Sequence, residues 1–120
     1  MKTPSYNTPS SPAYEPTRDV ASFHIHGFKH HEGPFVLSKL KAGKKLDLVP
    51  EPDNPYDPCA MAIYRKGKKL GYVPRDENGM MSLLSYFGHD VFECRIMQVD
   101  PEADPWKQVR VGIYVKDARK

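Results

Sequence analysis

Residues Ala60–Val73 read AMAIYRKGKKLGYV. Two arms, Ala60 to Tyr64 and Leu70 to Val73, flank a basic tip that contains Gly67, the pattern of a β-hairpin. Upstream of it, KKLDLVPE alternates through Leu46, Leu48 and Pro50, which predicts another strand. Further upstream, VASFHIHG sets Val20, Ser22, His24 and His26 against Ala21, Phe23 and Ile25, the period of two of a half-buried strand, and Gly27 ends it. Between these two strands GPFVLSKLKAG places Phe35, Val36, Leu37 and Leu40 at helical spacing, predicting a helix of two turns between Gly33-Pro34 and Gly43. Downstream of the hairpin PRDENGMMSLLSYFGH reads as a helix at Met80, Met81, Leu83, Leu84 and Phe87, stopped by Gly88. DVFECRIMQVD and VRVGIYVKD, separated by PEADPWKQ, complete the chain as strands. The order is β, α, β, β, β, α, β, β. Five to six short strands with two short helices and little room for crossovers predict a mainly β fold, a small, strongly curved barrel rather than a parallel sheet.

The 120 residues suffice for one domain with a modest core. Residues 1–19, MKTPSYNTPSSPAYEPTRD, hold four prolines and almost no aliphatic side chain, so a flexible tail is expected there, with the domain over 20–117. No apolar run approaches the roughly 20 residues of a membrane span, and the start lacks a signal-peptide pattern. A soluble, cytoplasmic protein with no membrane association is the expectation. Cys59 and Cys94 are expected to be reduced packing residues. Charge is uneven along the chain: ten Lys/Arg against five Asp/Glu from Lys29 to Arg75, six against eight from Asp76 onward. That asymmetry predicts either a basic face fit for a polyanion or an ordinary lysine-rich surface.

The stretch EPDNPYDP, Glu51–Pro58, is a rigid acidic turn in this basic half. Pro55 and Pro58 bias Asn54 and Asp57 away from helical backbone, while Asp53 and Asn54 can fold their side chains onto nearby amides. The turn reads as an Asx-type connection between two strands. It reads equally as a stiff display of Asn54, Tyr56 and Asp57 for recognition. Both readings stand at this point.

EPDNPYDPCAMAIY, then KKLGYVPRDEN and later VDPEADPWKQVRV, closely resemble the HIRAN domain family, with the likeness running over roughly Val20 to Val115. The resemblance implies an OB-like or SH3-like curved barrel that binds single-stranded DNA and, in helicase-like repair translocases, captures its 3′-hydroxyl end during fork processing. It implies a site made of Asp53, Asn54, Tyr56 and Asp57 from the turn, Lys29 and His30 from the first loop, Tyr72 and Arg75 after the hairpin, and Trp106. An ionised Asp57 would repel a phosphate and accept a hydrogen bond from a free hydroxyl. Tyr56 and His30 would stack on terminal bases, and Lys29 and Arg75 would hold the nearest phosphates. Tyr72 and Trp106 also fit plain core or edge packing. The family often carries aromatics where this chain has His30 and His31, and Asn where it has Cys59. Imidazoles stack less well and change charge near neutral pH, leaving DNA affinity either weaker or rising as pH falls.

There is no G-x-x-x-x-G-K-S/T loop for a motor, so any remodelling of DNA calls for a separate helicase or nuclease chain. The expectation is a non-enzymatic module without cofactor or metal. Three other readings compete with it. His24, His26, His30 and His31 with Cys59 or Cys94 could form a zinc site, though without C-x-x-C or H-x-x-x-H spacing. Asp53, Asp57 and His30 could serve acid–base hydrolysis, though a turn exposed to water keeps carboxylates ordinary. The basic hairpin or the tail could instead hold a protein partner.

Overall fold

The computed structural model describes residues 15–119. Of the tail expected over 1–19, residues 1–14 lie outside the described residues. The first strand, β1, is Asp19–His24, followed by β2 Lys45–Pro50, β3 Met61–Arg65, β4 Lys68–Tyr72, β5 Phe92–Val99 and β6 Val109–Val115; the helices are α1 Gly33–Val36 and α2 Gly79–Tyr86. All pairings are antiparallel, in the order β1-β6-β5-β2-β3-β4. β2 turns the corner of this sheet. Its first residues, Lys45 and Leu46, pair with Arg95 and Cys94, whereas Asp47–Pro50 pair with Tyr64–Met61.

The sheet curls until its two edges meet. His26 and Tyr72 exchange backbone hydrogen bonds at 2.9 and 2.8 Å, joining the chain just past β1 to the end of β4. The closure depends on Gly71, where a Cβ would run into the His26 carbonyl. The result is a six-stranded curled half-barrel with two short helices, as the alternation predicts. Phe23, Ile25, Leu46, Ile63, Leu70, Ile96, Val111 and Ile113 point inward and form one core. Among the described residues no helix is long and apolar enough to cross a membrane.

The hairpin tip is two residues, Lys66 and Gly67, with φ of 49° and 80°, the left-handed pair that matches strand twist. The helices differ from their predicted form. After one turn of α1, started by Pro34 in its first turn, Val36 leaves helical geometry and Leu37–Lys39 form a separate 3-10 turn. Phe35 therefore points to solvent, and Leu40 is buried. α2 forms where expected and ends at Gly88 (φ 85°), with His89 N–H donating to the Leu84 carbonyl. Of its apolar positions only Met81 is buried; Met80, Leu83 and Phe87 are exposed. Both cysteines are free, Cys94 in the core and Cys59 half-buried.

Candidate nucleic-acid groove

The connection from β2 to β3 is braced by its own side chains. Asn54 Oδ1 accepts hydrogen bonds from the backbone N–H of Tyr56 (2.9 Å) and of Asp57 (3.1 Å). Asp57 Oδ1 accepts one from Cys59 N–H at 2.9 Å. These are two successive Asx turns, and the second fold-back comes from Asp57 where Asp53 was expected. Tyr56 is left 85% exposed at the crest.

Asp57 is fixed from the far side as well. Asn78, just before α2 and only 3% exposed, donates from Nδ2 to Asp57 Oδ2 at 2.9 Å. Arg75 brings Nε to 3.7 Å from the same oxygen, and donates from a terminal nitrogen to the Tyr56 carbonyl. The bond from Asn78, the Cys59 amide and the nearby guanidinium together hold the Asp57 carboxyl below its usual range. It remains an ionised acceptor, with lone pairs beyond those its partners occupy.

Beside the turn stands a charged network that residue patterns did not reveal. Glu51 accepts hydrogen bonds from Lys69 Nζ (2.6 Å), the Tyr72 hydroxyl (2.8 Å) and Asn54 Nδ2 (3.1 Å). Lys69 also donates to the Tyr72 hydroxyl at 2.6 Å and lies 4.5 Å from the centre of that ring. Burial alone would raise the Glu51 carboxyl, but the bonds from Lys69, Tyr72 and Asn54 outweigh it and leave it lowered. Burial likewise opposes charge on Lys69, and its bonds to Glu51 and Tyr72 overcome that, raising its ammonium. His31 meets the Tyr72 ring edge-on at 5.4 Å. Its imidazole is pushed down by burial and then by the Lys69 charge.

A groove of about 1030 Å³ runs between the turn and the first loop. It brings together His30, Asp53, Asn54, Tyr56, Asp57, Tyr72 and Arg75 of the predicted site. Lys29 and Trp106 do not line it. Lys29 is exposed on the 3-10 turn Phe28–His30, and Trp106, 61% exposed, sits on a 3-10 turn at Pro105–Lys107 packed against the first one. Tyr72 is half-buried, its hydroxyl committed to Glu51 and Lys69. Of the ten Lys/Arg between 29 and 75 only Arg75 lines the groove, alongside Glu51, Asp53 and Asp57. The groove is thus carboxylate-rich, and the basic half of the chain presents its cations elsewhere.

Glu51, Lys69 and Asn78 are the functional candidates that residue patterns missed. Asn78 did carry a signal, an Asn just ahead of an apolar helix, but that signal marks helix starts. Among the described residues no three His, Cys, Asp or Glu side chains converge to hold a metal. His26 lies at the groove, whereas His24 stands on the outer face of the sheet beside Arg110.

The HIRAN domain model matches residues 19–116. Among solved structures, a protein from Lactobacillus plantarum is similar at 19% identity over 82% of this chain and 97% of its own, with a TM-score of 0.61. The HIRAN domain of human HLTF is similar at 14% identity over 81% of this chain and 76% of its own, with a TM-score of 0.57. At these identities both likenesses speak to the fold. No curated protein matches the chain in sequence. The match across nearly the whole described domain, on a curled half-barrel of the same architecture, places the chain in the HIRAN domain family, a family generally linked to DNA binding.

Proposed function

We propose that this chain binds single-stranded DNA and takes the 3′-hydroxyl end of a strand into the groove beside the Glu51–Pro58 turn. The observation that carries the reading is the Asp57 carboxylate, held ionised by Asn78 and the Cys59 amide next to the exposed ring of Tyr56. A carboxylate accepts a bond from a terminal hydroxyl and repels a terminal phosphate, so it sorts ends by chemistry. Tyr56 supplies a stacking platform indifferent to sequence. Asn54 holds both residues in place. His30 borders the same space, and Arg75, anchored on the Tyr56 carbonyl and paired through Nε with Asp57, keeps its other terminal nitrogen for the phosphate behind the end. Asp53 faces the groove, while Lys29 and Trp106 flank it where the strand would leave. The module binds and presents an end inside the cell, in repair or fork processing, and a separate helicase or nuclease chain acts on it.

Titration of labelled oligonucleotides ending in 3′-hydroxyl or 3′-phosphate tests this. The hydroxyl end is expected to bind tighter, and Asp57→Asn to erase the difference. Tyr56→Ala is expected to weaken both ends by about 1–3 kcal/mol, a stack's worth. Equal affinity of the wild-type chain for the two ends refutes end recognition.

A further inference from the structure

If the groove is rich in carboxylates, the phosphates of a bound strand need another surface. The outer face of the sheet offers one. Cross-strand partners share a face, so the register Ser22↔Gly112↔Arg95↔Lys45 draws one outward row across β1, β6, β5 and β2. Next to it, His24 pairs with Arg110. Gly112 sits in the middle of this face, and a Cβ there would come within 2.7 Å of the Tyr114 hydroxyl and 2.9 Å of its ring. The Tyr114 ring therefore lies along the sheet over Gly112, a position only glycine permits, with Arg95 opposite Gly112 on β5 and Arg110 two residues back along β6.

The charge on this face is in excess and partly free. Glu93 is shared by Arg18 (2.9 Å), Lys45 (3.6 Å) and Arg95 (3.6 Å), three cations on one carboxylate, and Glu93 and Asp19 are the cross-strand partners of Tyr114. Arg110 donates to Ser22 Oγ at 2.9 Å and, among the described residues, has no acidic partner. Lys107 continues the band toward the 3-10 turn that carries Trp106, and that turn packs against Phe28–His30 at the groove's edge. Asp100, Glu102 and Asp104 in the β5–β6 connection bound it on that side. The imidazole of His24 reports the local field: burial first, then Arg110 and Lys107, push it down.

We infer that this outer face is a second nucleic-acid surface, on which Tyr114 stacks against a base and Arg110, Arg95 and Lys45 hold phosphates of the strand's interior. A flat aromatic on a sheet, flanked by arginines, suits unpaired nucleotides better than a rigid duplex or an acidic protein, because each base supplies a ring for Tyr114 and each linkage a charge for a cation. The surface is separate from end capture. It rests on the reading above only in supposing that the polyanion is single-stranded DNA.

The test uses the full chain and a single-stranded DNA circle, which has no ends. The wild-type chain is expected to bind the circle at low salt. Tyr114→Ala should weaken it about tenfold, and Arg110→Gln should flatten the dependence of log K on log salt by about one. Both variants should leave the preference for 3′-hydroxyl over 3′-phosphate trinucleotides unchanged. Because a substitution can perturb folding, the wild-type chain is also photocrosslinked to an iodouracil-substituted circle, with the adduct expected on the β6 peptide carrying Tyr114. Failure to bind the circle, an adduct confined to the groove, or affinity unchanged in both variants overturns the inference. Competition by polyglutamate as effective as by DNA overturns it too, in favour of a surface for acidic proteins. A chain that binds the circle through Tyr114 and Arg110 yet ignores the chemistry of the 3′ end keeps this inference and refutes end capture.

Discussion

Replacing Glu51 by alanine removes the acceptor of three hydrogen bonds at once and strands the Lys69 ammonium beside the Tyr72 ring. The Glu51 and Lys69 side chains are 24% and 22% exposed, so the pair lies between two regimes. A surface pair contributes about 0–1 kcal/mol, and breaking a fully buried one costs about 3–5 kcal/mol. Glu51→Ala should therefore cost about 2–3 kcal/mol. Urea unfolding reads this directly, as a fall in midpoint of about 1–2 M. Glu51→Gln keeps an acceptor and the shape, and should cost less. In a Lys69→Met background the alanine substitution should cost under about 1 kcal/mol, since no charge is left unpaired. The pH dependence carries its own sign. A carboxyl lowered from its ordinary 4.5 contributes stability that is full above that value and lost as pH falls through the lowered one. The gap between wild type and Glu51→Ala should thus be constant at neutral pH and close in acid. A loss below about 0.5 kcal/mol, or an equal loss with Lys69 already gone, would refute the claim that this network braces the groove.

Asn78→Ala should destabilise the chain by about 1–2 kcal/mol in thermal unfolding, because Asp57 Oδ2 loses its donor. The Asp57 carboxyl should return toward its ordinary 3.8, weakening the acid-side loss of stability that its lowered value imposes in the wild type. The His31 imidazole should titrate by NMR below 6.5, and Lys69→Met should move the midpoint up; stability from neutral His31 is full above 6.5 and erodes as pH falls through the lowered midpoint, so a wild-type midpoint at or above 6.5 refutes the assignment. Burial pushes the Cys94 thiol up to about 12, so iodoacetamide should modify Cys59 in the native chain and Cys94 only as fast as the chain unfolds; equal labelling rates in mass spectra would contradict its place in the core.

Alternation located β1 and β2, where Phe23 and Leu46 are buried between exposed or half-exposed neighbours, and the glycine-containing basic tip located β3 and β4, although Met61, Ala62 and Ile63 are buried in succession. Helical spacing was a weaker guide. Met80, Leu83 and Phe87 share a face of α2 that nothing in the described domain covers, and spacing alone says only that residues align, not that something packs on them. Phe35 was misplaced for another reason, the break at Val36, which turns one predicted helix into two short turns. The two-residue tip at Lys66-Gly67 was legible as a turn, since glycine there accepts the left-handed backbone the hairpin needs.

The turn Glu51–Pro58 was legible because its bonds are local: Asn54 reaches residues two and three places on, and proline sets the backbone between them. Glu51–Lys69 and Asp57–Asn78 are separated by 18 and 21 residues and exist only because the hairpin folds back over β2 and the start of α2 comes to rest beside the turn. Charge misled for the same reason. Counting Lys and Arg along a segment presumes that a segment makes a face, but this sheet sets β2, from the basic half, against β5, from the acidic half. Lys45 consequently shares the outer face with Arg95, and β6 adds Arg110 beside them. Asp53 and Asp57, from the same basic half, line the groove. In a curled sheet the sign of a surface follows strand order, not chain order. A carboxylate-lined groove and a cationic outer face therefore arise from one small domain without either half of the chain being dedicated to one of them.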